Sequence, residues 1–484
     1  MKRPTIIRKS IRTLAAIMCI ACAGAGAGAA AGCSPKTNDG AGPEHSLAAT
    51  REEIDSAMKT AGINEPLIGC WIPPRSHQMK TPEDADARMA EVKASGLNCV
   101  STHQSDLYNK NFMTRLLDAA EKNGVKVIIE LGGDLSGNSI KQNLRRVEET
   151  KDHPAVIGYN LFDEPAASMQ PALASEFGKI REITGDSKLL LINMLPNYGQ
   201  REVMAPEVTE GLTWYRTYLD NFLKTGTDVL SFDFYPYHEN KAGDQANLLR
   251  MMENLSDMTV MSKKYNVPAW GFLQNSSWPG MRAPESNELL LISHLHLIFG
   301  FESYSYFLYA DTENEAEGSF TGMLRWDNTL SDIYYRVRDN NVHLAGTRYR
   351  FLSYSLKGFL TGKLALPGFA DAIDGSLKLA SDDNLKSFDA DRDTLIGIFE
   401  PRTAEENKAK GYADDTAEKG YYVLNYDFEN ESSVKLDFAQ STPYTVWTSA
   451  GIAAMGEGES VELTIPPCDA VFVELRTFGD YQAR

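Results

Sequence analysis

The sequence predicts an α/β protein, a (β/α)8 TIM barrel followed by a C-terminal antiparallel β-sandwich domain. Three observations carry this. Eight short apolar runs alternate with amphipathic stretches over roughly 300 residues, the count and length of such a barrel. Gly96, Gly124, Gly185 and Gly300 each fall between a helical stretch and the next run, where helix C-caps belong. After about Gly362 the helical period disappears and short alternating runs take over.

The barrel runs follow in order. PLIGCW (66–71) is the first strand. The helix PEDADARMAEVKASG leads to NCVST (98–102), and NFMTRLLDAAEKNG leads to VKVIIELGG (125–133). AVIGYNLF (155–162) is fourth; ALASEFGKIREITG precedes KLLLINML (188–195), and DVLSFDFYPY (228–237) is sixth. The long helix NLLRMMENLSDMTVMSKKYN precedes VPAWGFLQ (267–274), and NELLLISHLHLIFG precedes FESYSYFLY (301–309). LSDIYYRVRDNNVHLAG then ends a barrel domain placed at 65–362. A doubly wound open sheet is the main alternative. It advertises a Gly-rich phosphate loop after its first strand, and GCWIPPRS is not one. From 363 to 484, TLIGIFE, YYVLNYDF, SVKLDF, YTVWTSAG, SVELTI and AVFVELR read as sandwich strands with no catalytic constellation, an accessory domain.

Residues 1–33 read as an export signal. Lys2, Arg3, Arg8, Lys9 and Arg12 precede the apolar LAAIMCIACAGAGAGAAAGCS. That run is short and fades into Ala-Gly, which argues against a permanent spanning helix. Ala31-Gly32-Cys33 resembles a bacterial lipoprotein cleavage site, which implies Cys33 as the acylated residue, a membrane anchor, and a periplasmic or cell-surface location. An ordinary secretory cut nearby is the alternative. Residues 34–64 read as a polar tether and an N-terminal helix near 47–60.

The formal charge is −18, and the leader holds five cations and no acid, so the remaining body is more acidic still. Such a body disfavours nucleic acid and anionic membranes as partners. Cys70, Cys99 and Cys468 are too few and too scattered for a disulfide framework. No CxxC, HExxH or His cluster appears, so neither metal nor cofactor is expected.

Barrels of this kind do their chemistry at the C-terminal ends of their strands. There the sequence places carboxylates, amides and aromatics. Asp163 and Glu164 end strand four in HPAVIGYNLFDEP (153–165), Glu130 ends strand three, and Asp233 ends strand six. Trp71, Asn160, Tyr235, Gln274 and Trp278 share the same rim. Aromatic faces suit the C–H faces of sugar rings, and carboxylates and amides suit their hydroxyls. Cleaving a glycosidic bond needs an acid to protonate the leaving oxygen, and usually a second carboxylate as nucleophile or base. The predicted substrate is therefore a carbohydrate, contacted by Trp71, Glu130, Asn160, Tyr235, Gln274 and Trp278. Glu164, at the end of a buried strand and locked by Pro165, is the first catalytic candidate, with Asp163 and Asp233 beside it.

HPAVIGYNLFDEP resembles the strand-four segment of clan A glycoside hydrolases, including family-42-type β-galactosidases. The resemblance spans about 66–362 and implies that Glu164 is the general acid/base. It puts Asp163 in place of an Asn that contacts the sugar 2-hydroxyl. The pattern is then broken. The clan's nucleophilic Glu ends strand seven, where this chain has Gln274. Three readings stay open. A second carboxylate, Asp233 or Glu130, serves from another strand; or Asp163-Glu164 is the adjacent pair of a substrate-assisted hydrolase; or the barrel is catalytically inactive and binds glycan. A barrel lyase or metal-dependent hydrolase is the weakest option.

Overall fold

In the computed structural model the described residues are 66–185, 188–315, 318–348, 353–361, 368–403 and 419–476. The leader, Cys33, the tether and the helix near 47–60 lie outside them. The eight predicted barrel strands are β1 (Ile68–Cys70), β2 (Cys99–Ser101), β3 (Lys126–Glu130), β4 (Val156–Asp163), β5 (Leu189–Met194), β6 (Val229–Asp233), β7 (Ala269–Gln274) and β8 (Ser303–Phe307). All neighbours pair in parallel, in the order β1-β8-β7-β6-β5-β4-β3-β2. A parallel bridge between Trp71 and Ser101 joins the two ends and closes the barrel.

One main helix follows each strand: α1 (Pro82–Ala94), α2 (Lys110–Lys122), α3 (Gly137–Thr150), α4 (Gln170–Thr184), α5 (Trp214–Leu223), α6 (Asp244–Tyr265), α7 (Ser286–Ile298) and α8 (Asp332–Arg348). Their starts are encoded locally. Thr81 accepts from the Asp84 N–H and Asp84 reaches back to the Thr81 N–H, a reciprocal cap with Pro82 in the first turn. The expected C-terminal glycines 96, 124, 185 and 300 all have positive φ. Helices α3 and α5 were not predicted. The first has a thin apolar stripe, Ile140, Leu144 and Val147, and fully buries only Val147 of it, with Asn143 beside it. The second, WYRTYLDNFL, is short and rich in aromatics, and it buries polar Thr217 and Asp220 along with its apolar side chains.

Strand register sorts the lumen-facing side chains into rows. Glu130, Asn160 and Leu191 are aligned across β3, β4 and β5. Asp163, Asn193 and Ser231 are aligned across β4, β5 and β6. Between Asn160 and Asp163 the register shifts, since three steps along β4 match two along β5. This bulge carries Asp163, not Phe162, onto the face of Asn160. Leu191 and Val229 of the first row join Cys99 and Ile128 in an apolar cluster that plugs the barrel.

After the β9–β10 hairpin (Thr312–Glu315, Gly318–Phe320) and α8, the chain forms a second eight-stranded sheet, mostly antiparallel and sandwich-like. It contains β11 (Tyr354–Leu360), β12 (Lys378–Leu379), β13 (Leu385–Ala390), β14 (Thr394–Pro401), β15 (Gly420–Asn425), β16 (Ser432–Thr448), β17 (Gly451–Ile465) and β18 (Ala470–Glu474). The long β16 pairs with β13 through its first half and with β18 through its second, with a register shift between. Ile396, Ile398, Val423 and Val471 thereby share a core with Val434, Leu436, Val461 and Leu463. The boundary expected at 362 falls after β11, whose pairing with β14 puts it in this second sheet.

The two domains share one continuous core, which runs from Ile298 and Leu295 to Phe399, Tyr422 and Phe472. Gly346 of α8 sits so close to the sheet that a Cβ there would lie 2.2 Å from the Thr448 carbonyl oxygen. A polar bridge crosses the same seam. His294 of α7 contacts one oxygen of Asp469 at 3.1 Å, and His343 of α8 contacts the other at 2.9 Å. The other nitrogen of His294 bonds the Tyr422 hydroxyl. No sequence spacing announces this buried group. Cys70, Cys99 and Cys468 are buried free thiols. No helix among the described residues is long and apolar enough to cross a membrane.

Candidate functional site

The C-terminal ends of β3 to β6 converge on a group of carboxylates. Glu130 is buried, and its backbone N–H donates to Thr102 Oγ1 at 3.0 Å. Its Oε2 accepts a 2.6 Å bond from the Trp71 indole N–H, which joins the ends of β1 and β3. Burial, and then the charge of Asp163, push the Glu130 carboxyl up to about 8, against the donation from Trp71. Asn160, beside Glu130 in its row, is buried, and its Oδ1 has no partner among the described residues. An unmade bond on a buried acceptor is costly, so this oxygen suits a ligand donor or a water.

Asp163 and Asp233 are joined through a residue the sequence reading did not single out. The Asn193 side-chain nitrogen donates to Asp163 Oδ1 at 3.0 Å and to Asp233 Oδ1 at 2.8 Å. Ser231 Oγ donates to the Asn193 Oδ1 at 2.9 Å. Asp233 is buried, and burial followed by the charge of Asp163 pushes it up to about 7, opposed by bonds from Asn193 and Tyr235. Asp163 itself is exposed at the mouth.

Glu164 follows at once, half-buried, with φ of +50°. A left-handed glutamate is strained, and such strain collects at functional sites. Its N–H donates to the Asn193 carbonyl at 2.9 Å, and the Pro165 carbonyl accepts from the Tyr218 hydroxyl at 2.9 Å. Glu164, Asp163 and Asp233 all raise the phenols of Tyr198, Tyr218 and Tyr235 electrostatically, after the larger effect of burial. The three acids therefore share one neighbourhood, walled by tyrosines.

Through Tyr235 this neighbourhood continues into an aromatic cluster. Trp71 stacks on Phe307 with centroids 5.2 Å apart at 19°. Tyr235 lies 4.9 Å from Phe307, and Trp278 meets Tyr235 edge-on at 5.4 Å. Phe307, Tyr198 and Asn193 are the site residues that sequence reasoning missed. A signal existed for Asn193, a lone amide in the apolar run LLLINML.

Gln274 is placed differently from the other candidates. It is fully buried at the end of β7. Its Oε1 accepts from the Tyr237 N–H at 2.9 Å, and its Nε2 donates to the carbonyls of Tyr237 and Arg282, both at 2.8 Å. The amide is consumed in bracing the loops after β6 and β7. Gln274→Glu is expected to lower stability by about 2–4 kcal/mol in urea unfolding, because one buried carbonyl loses its donor and a carboxyl is buried. It should add no hydrolytic activity; a variant as stable as the parent would contradict the bracing role.

No protein-family model matches the chain, and no curated protein matches it in sequence. Solved structures do match in shape. A β-galactosidase from Bacillus circulans sp. alkalophilus superposes with a TM-score of 0.55 at 9% identity, over 86% of this chain and 99% of that one. A glycoside hydrolase family 5 protein from Bacteroides vulgatus ATCC 8482 does so with a TM-score of 0.53 at 10% identity, over 86% and 90%. At these identities the likeness is one of fold: a parallel eight-stranded barrel followed by a β-rich domain.

Proposed function

We propose that this chain is an exported glycoside hydrolase that cleaves O-glycosidic bonds of an oligo- or polysaccharide, with Glu164 as general acid. The observation that carries the reading is the convergence of Glu164, Asp163 and Asp233 in an aromatic-walled barrel mouth. Both structural neighbours described above are named as glycosidases, which fits the reading. In the reaction Glu164 protonates the leaving oxygen as the C–O bond breaks. Asp233 takes a proton from the water that attacks the anomeric carbon from the other face. A water activated in this way displaces the leaving group in one step, so this route inverts the anomeric centre. Asp163, outermost of the three, orients the sugar by accepting from a hydroxyl, or from the amide N–H of an acetamido group in a substrate-assisted variant.

A base must be ionised to act, and Asp233 ionises near pH 7. The rate is therefore expected to climb with pH through about 7, and Asp233→Asn should abolish that limb along with most activity. A rate that is flat from pH 5 to 8 would remove Asp233 from this role. A second reading, an inactive glycan-binding barrel, is favoured by Gln274, whose amide is spent on loop carbonyls. An activity screen on glycan libraries, with Glu164→Gln as control, separates the two: the binder would retain ligand and release no product.

Export rests on the leader, and anchoring on Cys33. Incorporation of labelled fatty acid into the parent but not into Cys33→Ala tests the anchor.

A further inference from the structure

Asn193 touches all three acids of the mouth. Its side-chain nitrogen donates to Asp163 and Asp233, and its backbone carbonyl accepts from the Glu164 N–H. The amide has one allowed orientation. Turned over, its oxygen would face two carboxylates, and the Ser231 hydroxyl would lose the acceptor it now holds. The register places Asp163, Asn193 and Ser231 in one row, so three adjacent strands build the group.

We propose that Asn193 is the positioning residue of this site, fixing Asp163 and Asp233 as one two-carboxylate unit while it pins the turn that carries Glu164. The inference deepens the hydrolase reading and rests on it for the catalytic part. The residue type is the informative detail. A cation between the two acids would hold both permanently ionised. An apolar side chain would leave them to repel, or to share a proton directly. A neutral NH2 gives each carboxylate one N–H and neutralises neither, so Asp233 keeps the ability to gain and lose a proton near neutrality. The titratable groups facing the pair are Glu130 from β3, Glu164 beyond β4, Tyr198 beyond β5, Tyr215 and Tyr218 from α5, and Tyr235 beyond β6.

The test uses the full chain with carboxyl-13C aspartate, titrated by NMR, with Asp233 assigned by its loss in Asp233→Asn. Asn193→Ala removes a donor to the charged form, so the Asp233 midpoint should rise by about one pH unit. The lower limb of the rate profile should move with it, and kcat should fall about tenfold or more with little change in KM. Ser231→Ala frees the amide to rotate and should give a smaller shift in the same direction, which keeps the test open if Asn193→Ala folds poorly. An Asp233 midpoint unmoved in both variants overturns the proposal, as does a moved midpoint with kcat intact. A moved midpoint in a protein whose parent cleaves no glycan upholds the fixed pair and overturns the hydrolase reading instead.

Discussion

Glu164→Gln is expected to lower kcat about a thousandfold on a glycoside whose leaving alcohol needs protonation, within the range a positioned general acid supplies. The loss should be far smaller on an aryl glycoside with an acidic phenol, because that leaving group departs without a proton. This asymmetry separates a lost acid from a damaged fold. The substitution is nearly isosteric. The backbone bond from residue 164 to the Asn193 carbonyl and the neighbouring tie from Tyr218 to Pro165 do not involve the replaced side chain. Circular dichroism and unfolding midpoint should therefore match the parent. Equal losses on both substrates would point away from proton donation. Full activity on the natural linkage would remove Glu164 from the chemistry and leave Glu130 and Asp233 as the acids held protonated near neutrality.

Asp469→Ala is expected to cost about 3–5 kcal/mol of stability near pH 5.5, the range for removing one partner of a buried ionic group. Two imidazoles, His294 and His343, lose their shared acceptor between the barrel helices and the second sheet. Burial alone would raise Asp469. The charge of His343 and the bonds from both imidazoles outweigh it and hold the carboxyl well below its usual range. Its contribution is therefore present above the unfolded value of about 3.9 and is lost as pH falls through the lower folded one. For His343, burial is outweighed by the Asp469 charge, and its folded value is raised. That contribution is complete below about 6.5 and is lost as pH rises through the folded value. The gap between parent and variant should thus be widest between those limits and narrow on either side. Urea unfolding at pH 3, 5.5 and 9 measures it. A difference under about 1 kcal/mol at pH 5.5 would mean that the apolar seam alone holds the domains.

The barrel was legible because each buried strand is a short apolar run bounded by punctuation. Strand β8 and its neighbours needed only counting. Helix α3 was not singled out, although Ile140, Leu144 and Val147 of GNSIKQNLRRVEET keep a helical spacing, because the stripe is thin and polar residues surround it. The acids of the mouth were legible by position, because a carboxylate closing a buried run has few bland explanations. Their partnerships were not. Trp71 meets Glu130 across 59 residues, and Asp469 meets His294 across 175. No spacing rule reaches that far. Gln274 shows the opposite case. The sequence marked it as the amide standing where an acid was expected, and only its three backbone bonds reveal what the amide is for.

The bulge in β4 has a consequence for descent. Plain alternation from Asn160 would turn Phe162 and Glu164 toward the lumen, and the extra residue gives that place to Asp163. Deleting the codon for Leu161 or Phe162 would remove the bulge and restore alternation, and Asp163, now two positions from Asn160, would still sit beside Asn193. Two lineages one codon apart there, one bulged and one not, would then carry a gap in their alignment and yet present the same acid to substrate.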